Sequence, residues 1–205
     1  MNPRHHPSET TLAAYAAGTL RKGFGLVVAA HLERCAKCRE EVRALEATGG
    51  ALMDELPGAE LAPDALDALL ARLDEPAPVQ APRKPGSLIE RLELGKRRYA
   101  APGFWVAPVD TPRELSDRIY LLNAPPRAAT AKHTHEGLEF TYVVAGALND
   151  NGEVFTAGDF IECDASNEHR PTVHGDEACL CLFATEGRLK PASWIGGLAF
   201  AIADV

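Results

Sequence analysis

The chain has no apolar run long enough to span a bilayer. Its longest tracts, GLVVAA at 25–30 and the glycine-broken WIGGLAFAIA at 194–203, stop well short of the ~20 residues a membrane helix needs. No secretory signal is visible either: the opening MNPRHHPSETTLAAY has no apolar stretch behind a basic start, so the expected location is the cytoplasm, with no membrane contact. There is no basic excess. The 29 acidic residues outnumber the 21 basic ones for a net charge of -8, and the acidity is spread, with 12 acidic and 8 basic side chains in residues 1–75. That balance argues against direct nucleic-acid binding and suits a basic protein partner. The cysteines also argue against a secreted disulfide framework, being five, an odd number, with one pair three apart and another two apart. Reduced thiols are therefore available for metal or redox chemistry.

What is present divides in two. With 205 residues, 46% of them hydrophobic, there is room for one ordinary domain and a small one. The stretch EPAPVQAPRKPG at 75–86 carries four prolines and reads as an extended, semi-rigid connector. It separates a helical domain at 1–75, through a linker at 76–87, from a second domain at 88–205. In the first part, SETTLAAYAAG runs from a capping serine to a glycine, and FGLVVAAHLERCAKCREEVRALEATGG is one long alanine- and leucine-rich stretch. APDALDALLARLDEP then places Leu66, Leu69, Leu70 and Leu73 at i, i+3, i+4 and i+7. That single apolar stripe either packs on its own bundle or docks on a partner. A helical bundle of this size has a thin core and often needs a staple. After the linker, DRIYLLN, LEFTYVVAG, GEVFTAGDFIEC and ACLCLF alternate with turns, which predicts an antiparallel sandwich or barrel.

HLERCAKC supplies a candidate staple. On a helix over 27–45, His31, Cys35 and Cys38 fall at i, i+4 and i+7 and share a face. One imidazole and two thiolates suit zinc, whose structural sites take four ligands in a tetrahedron. The fourth donor would come from His5 or His6 in the arm before the first helix, with His6 preferred. Two blander readings stand beside this one: core-filling cysteines with a surface histidine, and a redox CxxC, although no strand precedes the motif. HLERCAKC with its upstream histidine resembles the zinc-binding anti-sigma domain. That resemblance implies zinc ligands His6, His31, Cys35 and Cys38, and a module that blocks an extracytoplasmic-function sigma factor.

A second set lies in KHTHEGLEF, where His133, His135 and Glu139 share a parity and would face one way on a continuous strand. His169 follows the Gly158-Asp159 turn and could complete a three-histidine, one-carboxylate set. The spacing His133-x-His135-x3-Glu139-x6-Gly146, with Gly158 eleven residues before His169, resembles the cupin family. Asp164 and Ser166 stand where that family has Pro and Gly. Such ligands suit zinc, iron, manganese or nickel. Glu136, Glu162 and Glu168 read as solvated loop carboxylates and Cys163 as core. Cys179 and Cys181, on one face of a strand, are either buried structural thiols or a reactive or accessory metal-contacting pair, with a stable bridge between them disfavoured.

A helical zinc module followed by a cupin resembles the ChrR family of anti-sigma factors. The architecture so implied is a multidomain α + β protein: a zinc-stapled helical bundle, then an antiparallel β-barrel or sandwich of cupin type. The resemblance implies a non-enzymatic regulator forming a 1:1 inhibitory complex with an extracytoplasmic-function sigma factor. Its cupin would sense a stress signal such as singlet oxygen. The competing readings are a cupin metalloenzyme (dioxygenase, isomerase or thiol oxidase) with an accessory zinc domain, and a zinc store.

Overall fold

The computed structural model describes residues 2–73, 75–76, 85–110, 117–134, 136–187 and 190–191. Most of the expected linker, residues 77–84, and the candidate ligand His135 lie outside the described residues. Four helices come first: α1 (Glu9–Ala16), α2 (Lys22–Arg34), α3 (Ala36–Asp54) and α4 (Ala65–Leu73). A one-turn helix, α5 (Leu88–Arg91), precedes β1 (Arg98–Ala101), β2 (Phe104–Pro108), β3 (Arg118–Ala124), β4 (His133–Thr134) and β5 (Glu139–Ala145). Then come β6 (Ala147–Asp150), β7 (Glu153–Thr156), β8 (Phe160–Cys163), β9 (Thr172–Val173), β10 (Cys179–Thr185) and β11 (Lys190–Pro191). No helix among the described residues is long and apolar enough to cross a membrane.

The strands form an antiparallel sandwich rather than a closed barrel. A six-stranded sheet in the order β1-β2-β3-β10-β5-β8 faces a three-stranded one, β7-β6-β9, and β11 pairs with β4. Asn151 and Gly152, with φ of 49° and 90°, make the two-residue loop of the β6–β7 hairpin, as an Asn-Gly pair favours. Gly146 is required by space: its φ is +74° and a Cβ would come within 2.3 Å of the Ala178 carbonyl oxygen.

The large sheet is apolar on both faces. Ile119 and Leu121 of β3, Phe140 and Tyr142 of β5, and Leu182 and Ala184 of β10 belong to one core with the helices. Their alternating neighbours, among them Ala124, Val143, Cys179 and Cys181, pack inward against the small sheet. Helix α2 lies across β5 and β10 and buries Phe24, Val27, Val28, Ala30, His31 and Leu32, so it sits between the sheet and the other helices. Its N-terminus is held by a carboxylate from the other side of the linker. Asp117 accepts from the Gly23 N–H at 3.1 Å and pairs with Arg21 Nε at 3.1 Å, and a Cβ on Gly23 would collide with the Asp117 side chain. At the other end, Glu33 accepts from the Leu88 N–H at 2.8 Å and pairs with Arg91 at 3.1 Å.

Phe24 is the keystone of this joint core, edge-on to Phe140 at 4.7 Å, with Phe140 in turn 5.3 Å from Phe160. Phe24→Ala is expected to destabilise the whole chain by ~3–5 kcal/mol through the cavity it leaves. A chemical-denaturation midpoint followed by a strand signal checks this: an unchanged midpoint would mean that helices and sheet do not fold together.

One local expectation changes. The helix drawn through residues 27–45 is broken at Cys35, which has φ -100° and ψ 103° and serves as N-cap of α3. Its Sγ accepts from the Cys38 N–H at 3.5 Å, so the thiol takes the capping role usual for serine or aspartate. His31 thus lies in the last turn of one helix, and Cys38 stands in the first turn of the next.

Candidate metal centres

The first centre gathers atoms from the N-terminal arm and the α2–α3 corner. Ligand atoms of His6, His31, Cys35 and Cys38 all lie within 4.8 Å of one another, and all but His6 are buried. His6 Nδ1 is 3.4 Å from both sulfurs, and His31 Nε2 is 3.4 Å from Cys38 Sγ. Nitrogen and sulfur on one tetrahedral zinc ion stand about 3.5 Å apart, given bonds near 2.05 and 2.3 Å, so the four residues fit such an ion. His5 points elsewhere, its Nε2 2.8 Å from Glu153 and its Nδ1 3.2 Å from Asp159.

Protonation chemistry favours the same group. Burial lowers His31 to about 4, leaving a neutral imidazole. The Gly158 carbonyl, 2.9 Å from Nδ1, can only accept, so the proton sits on Nδ1 and the Nε2 lone pair faces the thiols. Burial, with the Cys35 hydrogen bond adding to it, pushes Cys38 up to about 12. Two thiolates and two imidazoles cannot be held here without a cation; with one, the charge balances.

The second centre lies inside the sandwich. His133, Glu139 and His169 are buried, with ligand atoms within 4.8 Å of one another. The continuous strand drawn through 133–139 is not formed: residues 136–138, ahead of β5, are not strand. What brings the histidines together is an isolated antiparallel bridge between His133 and His169, each N–H bonding the other's carbonyl at 3.1 Å. Their Nε2 atoms are 3.1 Å apart, the spacing of two nitrogens on one metal ion, while each Nδ1 is tied back. His133 Nδ1 donates to the Ala131 carbonyl at 2.7 Å, and His169 Nδ1 meets Asp150 Oδ2 at 2.7 Å.

Burial lowers His133 to about 4 and raises Glu139 to about 7. For His169, burial acts downward, but the Asp150 carboxylate outweighs it and the net shift is upward. A cavity of about 250 Å³ opens beside the cluster, walled mainly by Phe104, Val106, Leu122, Ile161 and Phe183. Cys179 and Cys181 also line it, free and buried, with sulfurs 3.6 Å apart. Cys163 is buried, 4.0 Å from His169 Nδ1. Of the carboxylates expected in solvated loops, Glu162 instead lies half-buried on β8, where it accepts from the Ser8 N–H at 2.9 Å, while Glu168 pairs with Lys132 at 2.5 Å.

A family described as the ChrR cupin-like domain matches residues 96–189. The anti-sigma-E factor ChrR of Cereibacter sphaeroides is 40% identical over 205 residues, covering 95% of each chain. The chain belongs to the ChrR family of anti-sigma factors. Within that family, the crystal structure of Rhodobacter sphaeroides SigE in complex with the anti-sigma ChrR resembles it throughout. The TM-score is 0.77 at 39% identity, over 90% of this chain and 99% of that one.

Two carboxylates of these centres escaped the sequence analysis. Asp150, which orients His169, lies in the hairpin segment LNDNGE, where it reads as a turn residue. Asp159 reads as part of a Gly-Asp turn, yet it is fully buried. Their signal was weak because an aspartate beside Asn-Gly or Gly needs no other explanation.

Proposed function

We propose that this protein is a cytoplasmic, zinc-dependent anti-sigma factor. Residues 1–75 bind and inhibit an extracytoplasmic-function sigma factor one to one, and the cupin unit at 88–205 governs release on a stress signal. The observation that carries the reading is the leucine row of α4. Leu66, Leu69, Leu70 and Leu73 are 66, 58, 49 and 74% exposed. Leu52, Met53, Leu56 and Leu61, from the end of α3 onward, are exposed as well. Exposed apolar side chains in such number on an acidic module are what a protein partner would cover, and a member of this family has been solved with its sigma factor.

In this reading His6, His31, Cys35 and Cys38 hold zinc, the metal best suited to a closed set of two nitrogens and two sulfurs. The ion pins the N-terminal arm to the corner between α2 and α3 and supplies structural order; no reaction runs on it. His133, His135, Glu139 and His169 hold a divalent ion, zinc, manganese, iron or nickel, beside the cavity. Singlet oxygen or a related oxidant is the proposed signal, because imidazoles and thiols, Cys179 and Cys181 among them, surround that cavity. The cavity also suits the metalloenzyme alternative, but turnover leaves the α4 row without a role.

Transcription in vitro by core polymerase and a cognate extracytoplasmic-function sigma factor tests the proposal. The full zinc-loaded chain is expected to abolish promoter-specific initiation at equimolar ratio. Unaltered transcription with folded, zinc-loaded protein in large excess would reject it.

A further inference from the structure

The helical metal cluster does not end at its four donors. The turn between β7 and β8, residues 156–159, presses against it from the sandwich side. Its Gly158 carbonyl receives the Nδ1–H of His31 at 2.9 Å, across 127 residues of chain. Gly158 has φ +104°, and a Cβ there would meet Pro3 at 3.1 Å, so the turn is shaped for close approach by the N-terminal arm.

Asp159 grips that arm. Its Oδ1 accepts the Arg4 N–H at 2.6 Å and the His5 N–H at 3.0 Å, while Oδ2 accepts the Thr156 N–H at 2.7 Å and hydroxyl at 3.0 Å. The Phe160 N–H adds a bond to the His5 carbonyl at 3.2 Å. Residues 4 and 5 are thereby held in register immediately before His6, and Glu162 of β8 holds the Ser8 N–H two residues after it at 2.9 Å.

We propose that the 156–159 turn is the outer shell of the helical metal site: Gly158 orients His31, Asp159 positions His6, and the cupin unit thereby holds the metal of the inhibitory unit. The inference rests on the reading that the four-donor cluster binds metal. Its basis is general: partners that orient ligating imidazoles typically contribute about 10–100-fold to metal affinity. Its consequence is regulatory. Strand β8 leaves this turn and ends at Cys163, beside His169, so one four-residue strand joins the two centres. A rearrangement around His169 would then reach the metal of the other unit without unfolding either.

Cobalt(II) titration of the full chain against a competing chelator tests this. The thiolate-to-cobalt absorption that disappears in the Cys35→Ser chain identifies the helical site. Asp159→Asn replaces one accepting oxygen by an NH2 group facing existing donors; it is expected to weaken that site about 10–100-fold and alter its absorption envelope at saturation. Thr156→Val, a milder change that removes one hydroxyl bond, should give a smaller shift in the same direction and keeps the test available if Asp159→Asn does not fold. A purely structural Asp159 would lower the melting temperature of the metal-free chain but leave cobalt affinity and spectrum unchanged, and that result overturns the inference. Absence of any Cys35-dependent absorption in the parent chain would instead overturn the metal reading beneath it.

Discussion

Replacing Cys35 and Cys38 together by serine is expected to remove inhibition of the sigma factor, with binding weakened by more than about 100-fold. The argument starts from the break at Cys35. A serine there keeps an oxygen able to accept from the N–H of residue 38, so the start of α3 survives and what is lost is the cation. Without it, Asp159 still holds residues 4 and 5, but nothing ties the His6 ring to His31 and the two side chains at 35 and 38, and the angle between α2 and α3 is released. The hydrophobic contacts of α2 with β5 and β10 remain, so the chain should stay folded while the orientation of α3, and of whatever follows it, becomes undefined. Zinc content should fall by one equivalent per chain, and anisotropy with labelled sigma factor should report the loss. Full-strength binding by a serine variant shown to have lost that zinc would disprove the zinc dependence.

Changing Leu66, Leu69 and Leu73 to glutamine should separate binding from folding in the opposite way. None of the α4 residues is buried, so their truncation removes little of what holds the fold, and glutamine is a good helix former. Stability is expected to change by less than about 0.5 kcal/mol. Affinity for the sigma factor is expected to fall more than about 100-fold, because buried interface anchors commonly contribute ~2 kcal/mol each. Zinc content should be unchanged. Parallel calorimetry of binding and unfolding gives both numbers, and retained affinity in the triple variant would remove α4 from the interface.

These two variants depend on features of different legibility. The leucine row was plain in the sequence because an amphipathic helix writes its face at fixed intervals; which way that face points was not, since the same stripe serves a bundle core or a partner. The His-x3-Cys-x2-Cys cluster was legible for a related reason, namely that its donors are close in sequence. The geometry assumed for it, one uninterrupted helix, was wrong in detail: Cys35 breaks the helix, and convergence survives because the corner brings His31 and Cys38 back together. His133 and Glu139 behave alike. Strand parity predicted one face, whereas two separate strands and a bridge to His169 create the meeting.

Local spacing alone therefore determined that this chain has a helical part with a compact thiol–imidazole cluster, a β-rich part with a histidine–glutamate cluster, and a leucine stripe between them. Tertiary structure decided what those parts do to each other. The large sheet is apolar on both faces, one for the small sheet and one for α2, so helices and strands share a core that no linker composition could announce. The groups that orient the ligands are a carbonyl at Gly158 and carboxylates at Asp159 and Asp150. A carbonyl is present at every residue and an aspartate suits any turn, so neither acquires meaning until folding sets it against a histidine distant in the chain.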